Sequence, residues 1–383
     1  MQEQKVISFI RSLYNTDAFI PLHAPHFGGN EKKYLLECID STFVSSVGPF
    51  VNQFETEIAN YTGAKHGVAV VNGTSALHTA LLVCGVEKGD EVLTQSLTFV
   101  ATANSIKYCD AEPVFIDVDR DTMGLSPNAL EAFLEEHSTM RNGSCYNKAT
   151  NKRIRACLPM HTFGFPCRIA EICEICAKFG IKVVEDAAEA IGSELNGKKI
   201  GTFGDVGVFS FNGNKVITSG GGGALITNDD LIAKESKHLT TTGKTKHSYE
   251  FHHDRIAFNY RMPNINAALL CAQLEQLVHF LSNKRKLAEQ YKTFFDPLDG
   301  VELRWEMKGT KANFWLISLE MKDKQARDHF LRKTNENEIM TRPIWQLMHK
   351  LPMFKHCLKD EQKNALYLEE RIVNIPSSYK KNG

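Results

Sequence analysis

The chain carries no net charge, because 45 Lys and Arg balance 45 Asp and Glu. No basic or acidic block breaks that balance, so nothing in it speaks for nucleic acid or an anionic membrane surface. No apolar run approaches the roughly 20 residues of a membrane-spanning helix. The opening stretch MQEQKVISFIRSLY sets charges inside its apolar pattern. It reads as an amphipathic helix through Val6, Ile7, Phe9, Ile10 and Leu13, not as a signal peptide. Two phosphate fingerprints are missing. No G-x-G-x-x-G follows the first predicted strand, and Lys215 precedes its glycines, which excludes a G-x-x-x-x-G-K-[ST] loop. The ten cysteines are scattered. Cys173 and Cys176 form a C-x-x-C inside a predicted helix with no second pair, and read as core or surface thiols rather than a redox or zinc site. His252-His253-Asp254 is not expected to hold a metal, since adjacent histidines point apart in a helix or strand. Unpaired thiols fit a reducing, cytoplasmic setting.

What is present fits a soluble globular protein of about two domains, at roughly 150 residues each. Apolar runs alternate with amphipathic helices as far as about residue 250. Predicted strands cover Gly67–Val71, Glu112–Asp119, IRACLPMH, IKVVE and Val206–Phe211. IKVVEDAAEAIG reads as strand, turn and short helix. Ser126 and Pro127 open another helix as N-cap and first helical residue. The polar run from Arg141 to Arg153 is expected to be an exposed loop. Strands separated by helices predict an α/β fold with a mostly parallel sheet covered on both faces. Beyond Phe251 the texture changes to one or two long helices and then a mixture of short elements. The expected organisation is an N-terminal helical extension (1–20), a large α/β domain (21–250) and a small α+β domain (251–383).

The stretch GDVGVFSFNGNKVITSGGGGALITND, from Gly204 to Asp229, reads as strand, tight turn, lysine, glycine-rich loop and strand. Alone, Lys215 is an ordinary hairpin lysine. Held between two buried strands, its amine would lose charge and become a usable nucleophile. Ligands of open parallel sheets collect at the carboxyl ends of the strands. Four polar features fall there: the Asn72-Gly73-Thr74-Ser75 turn, Asp186, Ser210 and Lys215. A glycine turn at a helix start suits a phosphate. Asp186 suits a ribose, a metal or a protonated ring nitrogen, and Phe99 offers an aromatic face. A phosphate cradle, an acid, an aromatic plate and a buried lysine together fit pyridoxal 5′-phosphate. The lysine would form a Schiff base, and the acid would keep the pyridine nitrogen protonated.

VGPFVNQFETEIANYTGAKHGVAVVNGTSALHTAL, GDEVLTQSLTFVATANSI, HTFGFP, VVEDAAEAIGS, GTFGDVGVFSFNGNK and FNYRMPNINAALLCAQL occur in that order. On these stretches the chain resembles the fold-type I pyridoxal-phosphate sugar aminotransferases of the DegT/DnrJ/EryC1/StrS type. The resemblance implies that Lys215 carries the cofactor and shuttles the proton, and that Asp186 holds the ring nitrogen. It places Gly73, Thr74, Ser75 and Ser210 on the phosphate, Phe99 on the ring and Glu189 near the phenolic oxygen, where Gln or His is usual. Asn259 would reach the cofactor of a neighbouring subunit, which implies a homodimer. Gly221 stands where many members carry Glu. Asn212 and Arg342 are candidate substrate contacts. The retained lysine favours transamination over dehydration on the same scaffold. The implied reaction takes an amino group from L-glutamate to a nucleotide-linked keto-sugar. The N-terminal segment with FVSSVGPFV looks like the subgroup aminating C4 of UDP-4-keto-6-deoxy-N-acetylglucosamine, for bacillosamine or legionaminic acid in bacterial surface glycans. The alternative is a GDP-linked keto-sugar, perosamine-like or N-acetylated.

Overall fold

Seven of the apolar runs close into one sheet. In the computed structural model, which describes residues 3–380, they are β1 (His66–Val70), β2 (Glu91–Gln95), β3 (Glu112–Ile116), β4 (Arg153–Leu158), β5 (Lys182–Asp186), β6 (Val206–Ser210) and β7 (Gly223–Thr227). Their spatial order is β1-β7-β6-β5-β4-β2-β3. Every pairing from β6 through β5, β4 and β2 to β3 is parallel. β7 runs antiparallel to both β1 and β6. Side chains alternate between two separate cores. Val208 and Leu225 pack on one face of the sheet, with Leu77 and Leu81 of the helix Gly73–Val83. Phe209 and Ile226 pack on the other, with Leu270 and Leu277 of the long helix Asn264–Phe295. Burial on both faces explains why these strands read as continuous apolar runs.

Three expectations need correction. The polar run from Arg141 to Arg153 is not a loop but part of a hairpin, Ser138–Arg141 with Ser144–Asn147, that pairs onto β4 and brings the sheet to nine strands. Its turn is Asn142-Gly143, both at positive φ (48° and 76°), which is what a two-residue hairpin turn demands. Its polar residues serve inside: Asn147 and Thr150 donate to the buried Glu91 at 2.8 and 2.7 Å. No helix follows β5, since residues 187–192 form turns. There the Glu189 carbonyl accepts from Asn313 at 2.8 Å and its carboxylate from the Phe163 N–H at 2.8 Å. These bonds fix a turn in place of a helical ladder. The segment beyond Phe251 stays extended until Pro263 precedes one 32-residue helix, Asn264–Phe295.

The remainder forms a four-stranded antiparallel sheet, from Val301–Leu303, Ile317–Met321, Ile372–Ile375 and Arg342–Pro343. The N-terminal amphipathic helix, Glu3–Tyr14, buries Val6, Ile7 and Ile10. It joins C-terminal elements: Phe9 stacks on Phe294 at 3.9 Å, and Arg11 donates to the Asn337 carbonyl at 2.7 Å. Lys284 of the long helix is fully buried, and its Nζ donates to the Ser377 carbonyl at 2.7 Å. Burial pushes that amine down to about 7.

Candidate active site

The carboxyl ends of the parallel strands open into a cavity of about 340 Å³. After β1, Asn72 caps the next helix, its Oδ1 accepting from the Ser75 N–H at 2.8 Å. The first N–H groups of a helix have no intrahelical partner and attract anions, and here Gly73 and Thr74 line the cavity. Only glycine fits at 73, because a Cβ would stand 2.8 Å from the Cβ of Ser210. The same crowding requires Gly223, where a Cβ would lie 2.5 Å from the Asn72 carbonyl. The glycine-rich loop is therefore partly a packing device that lets β7 pass close under the cradle. Gly221 is free of this constraint, its nearest neighbour being the Val71 carbonyl at 3.6 Å.

Asp186 ends β5 and is buried. Its Oδ2 accepts from the Thr102 hydroxyl at 2.7 Å and its Oδ1 from the Ala188 N–H at 3.2 Å. Burial pushes this carboxyl above its ordinary range, while the two donors and the nearby Lys215 pull it down. Lys215 follows β6 in a turn closed by its N–H on the Asn212 carbonyl at 3.0 Å. Its Nζ lies 3.3 Å from Glu189 Oε1 and 3.8 Å from the ring centre of Trp315. Burial raises Glu189 to about 7, against the attraction of Lys215 and the Phe163 N–H. Phe99 precedes the helix Val100–Tyr108 and is 49% exposed on the cavity wall.

Gly73, Thr74, Phe99, Asp186, Glu189, Ser210, Asn212 and Lys215 thus line one cavity. Three candidates do not. Ser75 lies buried behind the wall with its N–H committed to Asn72. Arg342 sits on an exposed strand, where its guanidinium donates to Asn335 Oδ1 at 3.1 Å and the Thr341 carbonyl at 3.0 Å. Asn259 is exposed on the extended segment before the long helix, paired with Thr241. The reading of the sequence missed Thr102, Trp315 and Trp345, and took Asn72 only as part of its turn; all four are on the cavity wall. Asn72 had a signal as a cap residue ahead of Gly-Thr-Ser. The tryptophans had one in their scarcity: the chain has three, and two line this cavity.

The donor set suits pyridoxal phosphate. An anion cradle that a Cβ at position 73 would fill, a carboxylate held by two donors, an aromatic face and a partly buried amine converge on one space. They define a pyridoxal-phosphate enzyme built on an α/β sheet. A family model of the DegT/DnrJ/EryC1/StrS aminotransferases matches residues 25–381, and the chain belongs to that family. GDP-perosamine synthase of Escherichia coli O157:H7 is 37% identical over 94% of this chain and 93% of its own. The EpsN protein of Bacillus subtilis (strain 168) is 38% identical over 88% of this chain and 84% of its own. Among solved structures, the aminotransferase TlmJ of Streptoalloteichus hindustanus superposes with a TM-score of 0.85 at 26% identity, covering 94% of both chains. The protein is a pyridoxal-phosphate-dependent sugar aminotransferase.

Proposed function

We propose that the enzyme aminates C4 of a GDP-linked 4-keto-6-deoxy sugar, with L-glutamate as donor. Support for the nucleotide comes from three GDP-perosamine synthases, each 36 or 37% identical over 94% of this chain. They favour the GDP-linked alternative over the UDP-linked N-acetyl sugar drawn from the N-terminal resemblance. The observation that carries the site is the meeting of Lys215, Asp186 and the Gly73–Thr74 cradle in one cavity.

In this reading Gly73, Thr74 and Ser210 would hold the phosphate, Asp186 the ring nitrogen and Phe99 the ring face. When bound, the cofactor supplies an electron sink and carries the amino group between donor and sugar. Lys215 would anchor it and, once free, move the proton at Nζ. Glu189 stands 3.3 Å away to accept or return that proton. Trp315, Trp345 and Phe99 wall off water. Asn212 is proposed as a substrate contact, and Asn259 as a contribution across a homodimer. Purified enzyme with glutamate and a panel of GDP- and UDP-linked 4-keto sugars, with products weighed by mass spectrometry, tests the assignment. Conversion of the GDP sugar is expected. Conversion of the UDP-N-acetyl sugar alone would overturn the nucleotide, and glutamate-independent loss of water would overturn the transamination.

A further inference from the structure

Trp315, at the end of the segment Asn313-Phe314-Trp315, lines the cavity beside Lys215. Trp315 is buried, and its ring centre lies 3.8 Å from Lys215 Nζ. The same indole donates Nε1–H to the Asn214 carbonyl at 2.6 Å. One side chain therefore touches both the amine and the peptide that precedes it. Trp315 is itself tied down, since its N–H donates to Asn313 Oδ1 at 2.7 Å. Asn313 in turn donates to the carbonyls of Glu189 and Ile191 at 2.8 and 3.0 Å. Between them Phe314 sits at φ +49°, a left-handed backbone that a bulky residue adopts only when its surroundings impose it. On the other side of Glu189, Phe163 sits at φ +57° and donates its N–H to Glu189 Oε2 at 2.8 Å. Two strained phenylalanines thus bracket the Glu189–Lys215 pair.

We propose that Asn313–Trp315 is a positioning strap for the cofactor lysine. The indole face holds the amine, the indole N–H holds the turn it springs from, and Asn313 locks both to the Glu189 turn. Nζ is thereby aimed at one point of the cavity before the cofactor arrives. The proposal rests on Lys215 being the cofactor lysine. Covalent capture then joins the neutral amine to the aldehyde carbon, and water leaves with the aldehyde oxygen and the two amine hydrogens. Aim governs the rate of that step.

The test uses cofactor-free enzyme as wild type, Trp315→Phe and Trp315→Leu. Phe keeps a ring face but no N–H, and Leu keeps neither. Capture of pyridoxal phosphate is followed by its visible band. Affinity is measured separately with pyridoxamine phosphate, which has an amine in place of the aldehyde and cannot bond to the lysine. Capture should slow about tenfold in Trp315→Phe and further in Trp315→Leu. Pyridoxamine phosphate affinity should stay within about twofold of wild type. Unchanged capture would overturn the strap. So would a parallel loss of pyridoxamine phosphate affinity, which marks Trp315 as plain wall. Failure of borohydride to fix the cofactor on Lys215 of the wild type would instead overturn the lysine assignment beneath it.

Discussion

The two sides of the cavity are built by opposite logic. The sheet side supplies Gly73, Thr74, Asp186, Ser210 and Lys215 within a residue or a few of a strand end. The far side supplies Trp315 and Trp345 from the C-terminal part of the chain, the first placed by long-range hydrogen bonds beside a left-handed Phe314 and the second by ring contacts with Phe99 and Phe163. The first side gets its position from the sheet, so local sequence defines it. The second is positioned only once distant parts of the chain have packed together. The carboxylates Asp186 and Glu189 repeat the contrast at three residues' separation. Asp186 is held by a helix hydroxyl and its own turn, while Glu189 is held by Phe163, Asn313 and Lys215.

The sharpest break on the sheet side is Asp186→Asn. Loss of the charge that would hold the ring nitrogen protonated should lower kcat by about two orders of magnitude or more, and a near-wild-type rate in a steady-state assay would rule the role out. Gly73→Ala comes next. A Cβ 2.8 Å from that of Ser210 should push the cradle apart and weaken pyridoxamine phosphate binding by about tenfold, a loss of roughly 1.4 kcal/mol, read by equilibrium titration.

Glu189→Gln tests the other side through pH. Burial raises this carboxyl from 4.5 to about 7, so the folded chain holds a proton there that the unfolded chain has already lost. Stability from this group is full below about pH 4.5 and declines as pH rises toward about 7. The melting temperature of cofactor-free Glu189→Gln should therefore gain on wild type between about pH 5 and about pH 8. A constant difference would remove Glu189 from the titrating groups. The smallest effect belongs to Arg342→Ala. With its guanidinium bonded to Asn335 and Thr341 outside the cavity, kcat/KM should change by less than about twofold.

Legibility followed the same division. The strands, the mostly parallel character of the sheet and the sheet side of the cavity were readable, because burial on both faces leaves apolar runs and the ligand groups sit at their ends. Ser75 stands behind the wall with its N–H on the Asn72 cap, a placement that a motif does not reveal. Arg342 stands on an exposed strand outside the cavity, and in sequence a charged residue near a proline looks the same whether it faces substrate or solvent. Trp315 was out of reach: its contact with Asn214 spans 101 residues. The hairpin at Asn142-Gly143 was readable and was overlooked, since polarity outweighed the turn signal.

The central claim is that Lys215 anchors the cofactor, and one measurement addresses it directly. Enzyme loaded with pyridoxal phosphate is reduced with borohydride, digested, and its peptides are weighed. The cofactor should be fixed on the peptide containing Lys215 and absent from every peptide of a Lys215→Ala variant treated alike. Cofactor fixed on another lysine, or a loaded wild type that borohydride cannot label, would contradict the account.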